Sequence, residues 1–486
     1  MKKITKLTGI IISIMIVLSC VSVSLASAAG EAYSYSFING EATINRCQTL
    51  ARGKVEIPET CIKTIYVCNV DECGYETDFR SETCPGCKGK YTLKSKDLSV
   101  PVTKIGNGAF ADCTYITEVV VPSSVKKVGD GAFRNCTSLE KITFEGSECE
   151  IGKTAFAYCN VMKEISLPSS LKVIPDEAFD TCTSLESINI PSTVEVIGNE
   201  AFKMCEKLKQ IDISANVKQI KKNAFVGCKS VKSFNVDDSN SIYSDADGVL
   251  YGPFYDSALG YFTNEKALIQ YPATLTAASF TVPSDVKRID DYAFGENKNI
   301  KSVTVPDGLK SIEAFAFYGC SNLSDINIPS KTAFIGQNAF AKCDSLKKIS
   351  IPASVENFEF AFYRSGLESV TIENGVKAIS TRAFENCTNL KTVSIPDSVE
   401  IIGLGAFYNC TSLGETEIPS SVTIIGTSAF EGCTSLSIVA EEGSAAYEYA
   451  EENGIAVSNK TEELSFFQKI INAIIAFFEM IFSIFM

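Results

Sequence analysis

An Ala-Phe pair recurs along this chain at a nearly fixed interval, and that interval constrains the fold more than any other feature. Its Phe stands at Phe110, Phe133, Phe156, Phe179, Phe202 and Phe225, in even steps. It resumes at Phe294, Phe317, Phe340, Phe362, Phe384, Phe407 and Phe430 with steps of 22 or 23, after a gap of three repeat lengths. Three positions after the Phe stands a Cys in eleven of the thirteen units, with Asn297 and Ser365 in the other two. A single coil this short buries too little apolar surface to fold alone, so the core must come from stacking neighbours. The pattern predicts a repeat solenoid.

One complete unit runs from Cys182 to Phe202. Leu185, Ile188 and Ile190 point inward while Ser187 and Asn189 alternate outward, the mark of a short half-buried strand. Pro191 ends it, since it has no N–H for a ladder. Val194 and Ile197 supply a second inward edge, and Ala201-Phe202 is expected in a tight helical turn plugging the back. Stacking at about 4.8 Å holds equivalent Cβ atoms near that spacing, whereas a disulfide needs about 3.8 Å. The repeat cysteines are therefore expected as a buried ladder of small free thiols.

The unit Cys-x-x-Leu-x-x-Ile-x-Ile-Pro-x-x-Val-x-x-Ile-Gly-x-x-Ala-Phe resembles the BspA-like bacterial leucine-rich repeats over about residues 98–440. The usual Gly is replaced by Pro175, Lys221, Asp290 and Glu313. The resemblance implies a leucine-rich repeat horseshoe of short parallel strands with helical or 3-10 turns. It also implies an exported bacterial surface protein that binds other proteins, host matrix components or other cells, without enzymatic activity.

Composition agrees with a non-catalytic role. The 486 residues contain no His, which removes Ser-His-Asp and Cys-His arrangements and every imidazole metal site. The formal charge is −14, and removing a leader with Lys2, Lys3 and Lys6 takes it to −17. Such a surface argues against nucleic acid as a partner. The leader itself is a basic start, an apolar run from Ile10 to Leu18 and small residues at Ala26-Ser27-Ala28, the pattern of a secretory signal peptide. Lipidation at Cys20 is the alternative processing route.

Before the regular coils, Cys68-x4-Cys73 and Cys84-x2-Cys87 resemble the two knuckles of a zinc ribbon, a structural site closed by four thiolates. Disulfides among these and Cys47 or Cys61 are the alternative. Within the long gap, Asp247-Gly248 between apolar stretches signals a hairpin. The chain thus divides into a signal peptide (1–28), an N-terminal cap and first coil (29–60), a zinc-ribbon-like insert (61–97) and the repeats (98–440), with a long variant unit at about 236–276. A cap helix (441–457), a polar linker (458–463) and an amphipathic tail helix (464–486) follow. The tail presents Phe466, Phe467, Ile470, Ile471, Ile474 and further apolar residues on one face. Membrane contact, self-association, a membrane span and docking on the solenoid all fit such a helix.

Two functions fit the whole. One is a secreted or cell-surface protein mediating protein binding or adhesion. The other is a structural, self-assembling envelope protein tethered through its tail. Alternate strand positions such as Glu164/Ser166, Ser187/Asn189, Asp325/Asn327 and Thr392/Ser394 are expected to line the open face, small and polar without an aromatic anchor.

Overall fold

A computed structural model describes residues 33–38, 41–47, 51–68, 76–77, 93–256, 260–459, 470–471 and 473–475. The leader, Cys73, Cys84, Cys87 and most of the tail lie outside these residues. The chain forms two compact units, Met1–Val231 with Asn235–Ser241, and Lys232–Phe234 with Ile242–Met486.

In the first unit the coils carry two short strands each, and these pair in parallel with their equivalents in neighbouring coils, in ladders of two or three strands. Glu164–Ser166 pairs with Ser187–Asn189, matching Ile165 to Ile188. Val173–Ile174 pairs with Val196–Ile197, and that strand with Gln219–Ile220. The second of these strands is the edge expected only as Val194 and Ile197. Leu185, Val194, Ile197, Ala201 and Phe202 are fully buried, and Ile188 and Ile190 nearly so. An unvarying period places identical residues over one another. The Phe rings therefore form a column, parallel and 5.5 Å apart between Phe156 and Phe179 and again between Phe179 and Phe202. Stacking of this kind adds about 0.5–1.5 kcal/mol per pair beyond burial.

The back of the coil is not the helical turn expected from the sequence. Residues two before and two after the Phe take left-handed backbone, as in Glu177 (φ +56°) and Thr181 (φ +58°) around Phe179. A right-handed helix cannot accommodate such residues. Alternate N–H groups instead turn to different partners. Ala178, Asp180 and Cys182 close short turns onto Pro175, Glu177 and Phe179 of their own coil. Glu177, Phe179 and Thr181 donate to Asn199, Ala201 and Lys203 of the next coil at 2.8, 2.9 and 2.7 Å. The back is thus a third ladder, and no donor among these six is left unpaired.

At its N-terminal end this unit begins with an antiparallel hairpin, Ser34–Ile38 against Glu41–Arg46. Thr60–Cys68 then pairs antiparallel with Leu93–Ile105 over its whole length, from Thr60 opposite Pro101 to Cys68 opposite Leu93. The 97/98 boundary expected between insert and repeats falls inside this unbroken strand. The insert is an arm that grows from the first coil, because the far half of the same strand pairs with Glu41–Arg46 and Lys127–Val128.

The second unit opens with the long variant. Ser244–Ala246 and Val249–Asp256 form the expected hairpin, with Asp247 (φ +52°) and Gly248 (φ +78°) both left-handed as a type I′ turn requires. Tyr261–Gln270 returns antiparallel, and its Ala267 and Leu268 join the next coil in parallel at Arg288 and Ile289. Tyr271 then starts a second ring column, 4.8 Å from Phe294. The column ends at Tyr449, edge-on to Phe430 on the helix Ala445–Glu452. Ser444 caps that helix by accepting from the Tyr447 N–H at 3.3 Å, and Gly454 (φ +67°) follows its end. Ala456–Asn459 pairs with Ser437–Ala440, so Ser458 and Asn459 belong to a last strand rather than to the linker expected from 458.

Candidate functional site

The strand-face positions singled out from the sequence reach the surface in both units. Ile165, Ile188, Val303 and Val393 are buried at the centres of their strands, while Glu164, Ser166, Ser187, Asn189, Thr304, Asp325, Thr392 and Ser394 are exposed. Alternation forces this: successive side chains of a strand point to opposite sides. The face is held by short polar links. Asp212 accepts from Gln210 at 2.6 Å and from Asn235 at 2.8 Å in the first unit. Ser302 donates to Asp325 at 3.1 Å and Ser350 to Glu373 at 2.7 Å in the second. Ion pairs join neighbouring coils at its edge, Lys209 to Glu186 at 2.6 Å and Lys391 to Glu368 at 2.8 Å. Their lysines hold both carboxyls below the usual carboxylate range. Exposed pairs of this kind generally stabilise little.

The repeat thiols sit where the sequence puts them and do more than fill space. Cys113 through Cys410 of the repeats are buried, and Cys433 is half-buried. From Cys136 onward each repeat Sγ–H donates to the carbonyl of the Phe one coil earlier: Cys182 to Phe156 and Cys205 to Phe179 at 3.2 Å, Cys320 to Phe294 at 3.1 Å. A Cys is small enough for the site and carries the donor that Ala or Val lacks. Burial pushes the Cys182, Cys228 and Cys320 thiols up to about 12, the opposite of what a nucleophile needs. Asn297 replaces one thiol by donating through its amide to Pro272 and accepting from Ile300 N–H at 2.8 Å.

Of the four residues read as zinc ligands, Cys68 ends the strand Thr60–Cys68, and Cys73, Cys84 and Cys87 lie outside the described residues. Among the described residues no cluster of metal-ligating side chains occurs, and no helix is long and apolar enough to cross a membrane.

One charged cluster was not anticipated. Arg288 lies between Glu265 (2.5 Å) and Glu313 (3.1 Å), under the ring of Phe254 at 4.4 Å, and Lys310 closes on Glu265 at 2.5 Å. Burial pushes the Glu313 carboxyl up, opposed by Ser311 and Arg288. Glu313 occupies the position that is Gly in most coils, and that substitution was the available signal. The cluster ties the long hairpin to the coils beside it, and the two carboxylates flank a cation rather than a cavity.

Comparison with known proteins agrees with this architecture. The model of the BspA type leucine rich repeat region matches residues 87–186, 271–360 and 358–447, more than half of the chain. A leucine rich cell surface protein from Faecalibacterium prausnitzii is 26% identical, with 88% of this chain and 98% of that one covered and a TM-score of 0.53. A leucine-rich repeat protein from Eubacterium ventriosum is also 26% identical, covering 66% and 83%, with a TM-score of 0.52. The pneumococcal vaccine antigen PcpA shares the fold at 20% identity over 91% and 99%, with a TM-score of 0.61. No curated protein matches the chain in sequence. With that model covering more than half of its length, the chain belongs to the BspA-type leucine-rich repeat proteins.

Proposed function

We propose that this chain is an exported bacterial cell-surface protein that mediates protein binding or adhesion and carries out no catalysis. The observation that carries the reading is the strand face, a run of exposed small polar side chains repeated coil after coil in both units. A face of this kind recognises partners by many modest contacts, and likeness to a cell surface protein supports the location. The test is a pull-down with residues 29–486, using host matrix proteins and whole cells. Glu164→Arg with Ser187→Arg should abolish capture through the first unit, and unchanged capture would remove the strand face from the reading.

The second reading, an envelope-tethered or self-assembling protein, is favoured by Ile470, Ile471, Ile474 and Ile475. All four are helical and exposed, by 39, 47, 50 and 49%. Exposed apolar residues clustered on a helix point to burial against a membrane or another copy. Deleting 464–486 should convert an oligomeric or envelope-associated protein into a monomer, as read by light scattering and fractionation. A full-length protein that is already monomeric and soluble would end this reading.

The arm bears on the metal. Tyr66–Val67 pairs antiparallel with Glu76–Thr77, so the segment holding Cys68 and Cys73 connects two paired strands, a setting suited to a zinc knuckle. Cys68, Cys73, Cys84 and Cys87 would hold one structural zinc. Cys84→Ser should release it while the coils remain folded. Metal-free protein with these four cysteines oxidised would establish disulfides instead.

A further inference from the structure

Two coils of the second unit are shorter by one position, Phe340 to Phe362 and Phe362 to Phe384. In the second of these the missing residue comes from the turn that enters the strand. Cys343-Asp344-Ser345-Leu346 and Cys387-Thr388-Asn389-Leu390 flank a truncated Ser365-Gly366-Leu367. The shortened turn is drawn inward, and the Gly366 N–H bonds to the Cys343 carbonyl at 3.0 Å. A Cβ at Gly366 would fall 1.9 Å from the carbonyl oxygen of Asp344, so no other residue fits. What remains between the two full turns is a cleft of about 560 Å³. That volume is within the usual range for small-ligand sites.

Two cations line the cleft. Lys342 and Arg364 both line it and both are exposed. Elsewhere on the coil edges Lys209, Lys229 and Lys391 are each paired to a glutamate of the neighbouring coil. Arg364 makes no ion pair among the described residues, and Lys342 meets only the hydroxyl (2.6 Å) and ring (4.9 Å) of Tyr318. Tyr318 is itself braced edge-on by Phe315 at 5.7 Å and Tyr292 at 6.3 Å, two rings stacked 4.6 Å apart. Lys342 is thus held by an aromatic cluster rather than neutralised by an acid. Two cations lining one cleft without an ion pair between them and a carboxylate can together hold an anion from outside.

The rest of the lining narrows the chemistry. Thr388, Asn386 and Asn389 offer both donors and acceptors, and Asp344 adds one carboxylate. A carboxylate in the same cleft would repel a bare inorganic anion, yet it accepts hydrogen bonds from hydroxyl groups. We propose that the cleft at Lys342, Arg364 and Asn389 binds an acidic sugar, its carboxylate on the two cations and its hydroxyls on Asp344 and the amides. The guanidinium suits a carboxylate because it can donate two parallel hydrogen bonds. The cleft lies at the turns, apart from the strand face, so this site and the protein-binding reading stand or fall separately.

The test is calorimetric titration of the full-length protein with a hexuronic acid oligosaccharide, its neutral glucose counterpart, sodium sulfate and a polyglutamate peptide. The acidic oligosaccharide should bind, and the neutral one about tenfold more weakly or not at all. Arg364→Gln should weaken binding about tenfold with an unchanged melting temperature, since its side chain is exposed. Asn389→Ala should weaken it by a smaller factor, and Lys331→Gln, on a solvated surface elsewhere in the unit, should leave it unchanged. Equal binding of the neutral sugar would overturn the proposal. So would sulfate or polyglutamate binding as tightly as the acidic sugar, which would mark a plain anion site or an acidic peptide site. Full affinity in Arg364→Gln would overturn it as well.

Discussion

The first unit keeps its Phe residues evenly spaced from Phe110 to Phe225, while the second starts from a hairpin and twice loses a position, at Phe362 and Phe384. The difference extends to the left-handed position two before each Phe. In the first unit it holds Gly108, Gly131, Thr154, Glu177, Glu200 and Asn223, and in the second it includes Tyr292, Phe315 and Phe360. A bulky side chain with positive φ is a strained choice. The regular unit therefore meets the demands of stacking with small and polar residues. The irregular one accepts strain to place an aromatic cluster beside Lys342. In the second unit a cleft opens where a turn is shortened.

The sharpest challenge to the comparison is to break each ring column. Phe179→Ala in the first unit and Phe384→Ala in the second should each destabilise by about 3–5 kcal/mol, read by urea denaturation. Hydrogen exchange should show the loss concentrated in the coils on either side, because each repeat touches only its neighbours. A uniform loss across both units would mean that the column does not act locally.

Alkali should separate the units next. The thiols are protonated in the fold and pushed up to about 12 at Cys182, Cys228 and Cys320, from an ordinary value of 9.0. Raised folded values mean that their contribution is complete below pH about 9 and is lost as pH climbs toward 12. Melting followed by circular dichroism should fall across that window and recover on return to neutral pH. The first unit has an unbroken run from Cys113 to Cys228, whereas Asn297 and Ser365 interrupt the second. Exchange within the alkaline window should therefore expose the first unit sooner. Cys433, half-buried and lowered by its hydrogen bond with Cys410, should be alkylated before the other repeat cysteines.

The smallest effect concerns the left-handed positions. Thr154→Gly should stabilise the first unit by up to about 1 kcal/mol, because Gly relieves the left-handed strain. Phe315→Gly should destabilise the second, because it also removes the stack on Tyr292. Both are read as shifts in the denaturation midpoint. The same sign for both would mean that the aromatic cluster contributes no packing.

Much of this was legible from residue spacing. The coil period, the inward Leu185, Ile188 and Val194, the exposed strand positions, the Asp247-Gly248 hairpin and the Ser444 cap all follow from local patterns. The back ladder was not, because Glu177 and Thr181 carry no mark of left-handed backbone as Gly would. The Arg288 cluster was hidden for a different reason: its members come from three successive coils.

By itself, the sequence determined that the chain stacks, which side of each strand is wet and which cysteines are inside. Those are properties of a single period, set by alternation and by the need to bury apolar side chains. Tertiary structure alone decided which carbonyl each thiol reaches, which N–H groups cross to the next coil and where the ridge opens at Gly366. Those depend on residues about one coil apart being brought within a few ångströms, and only the stacked backbone establishes that distance.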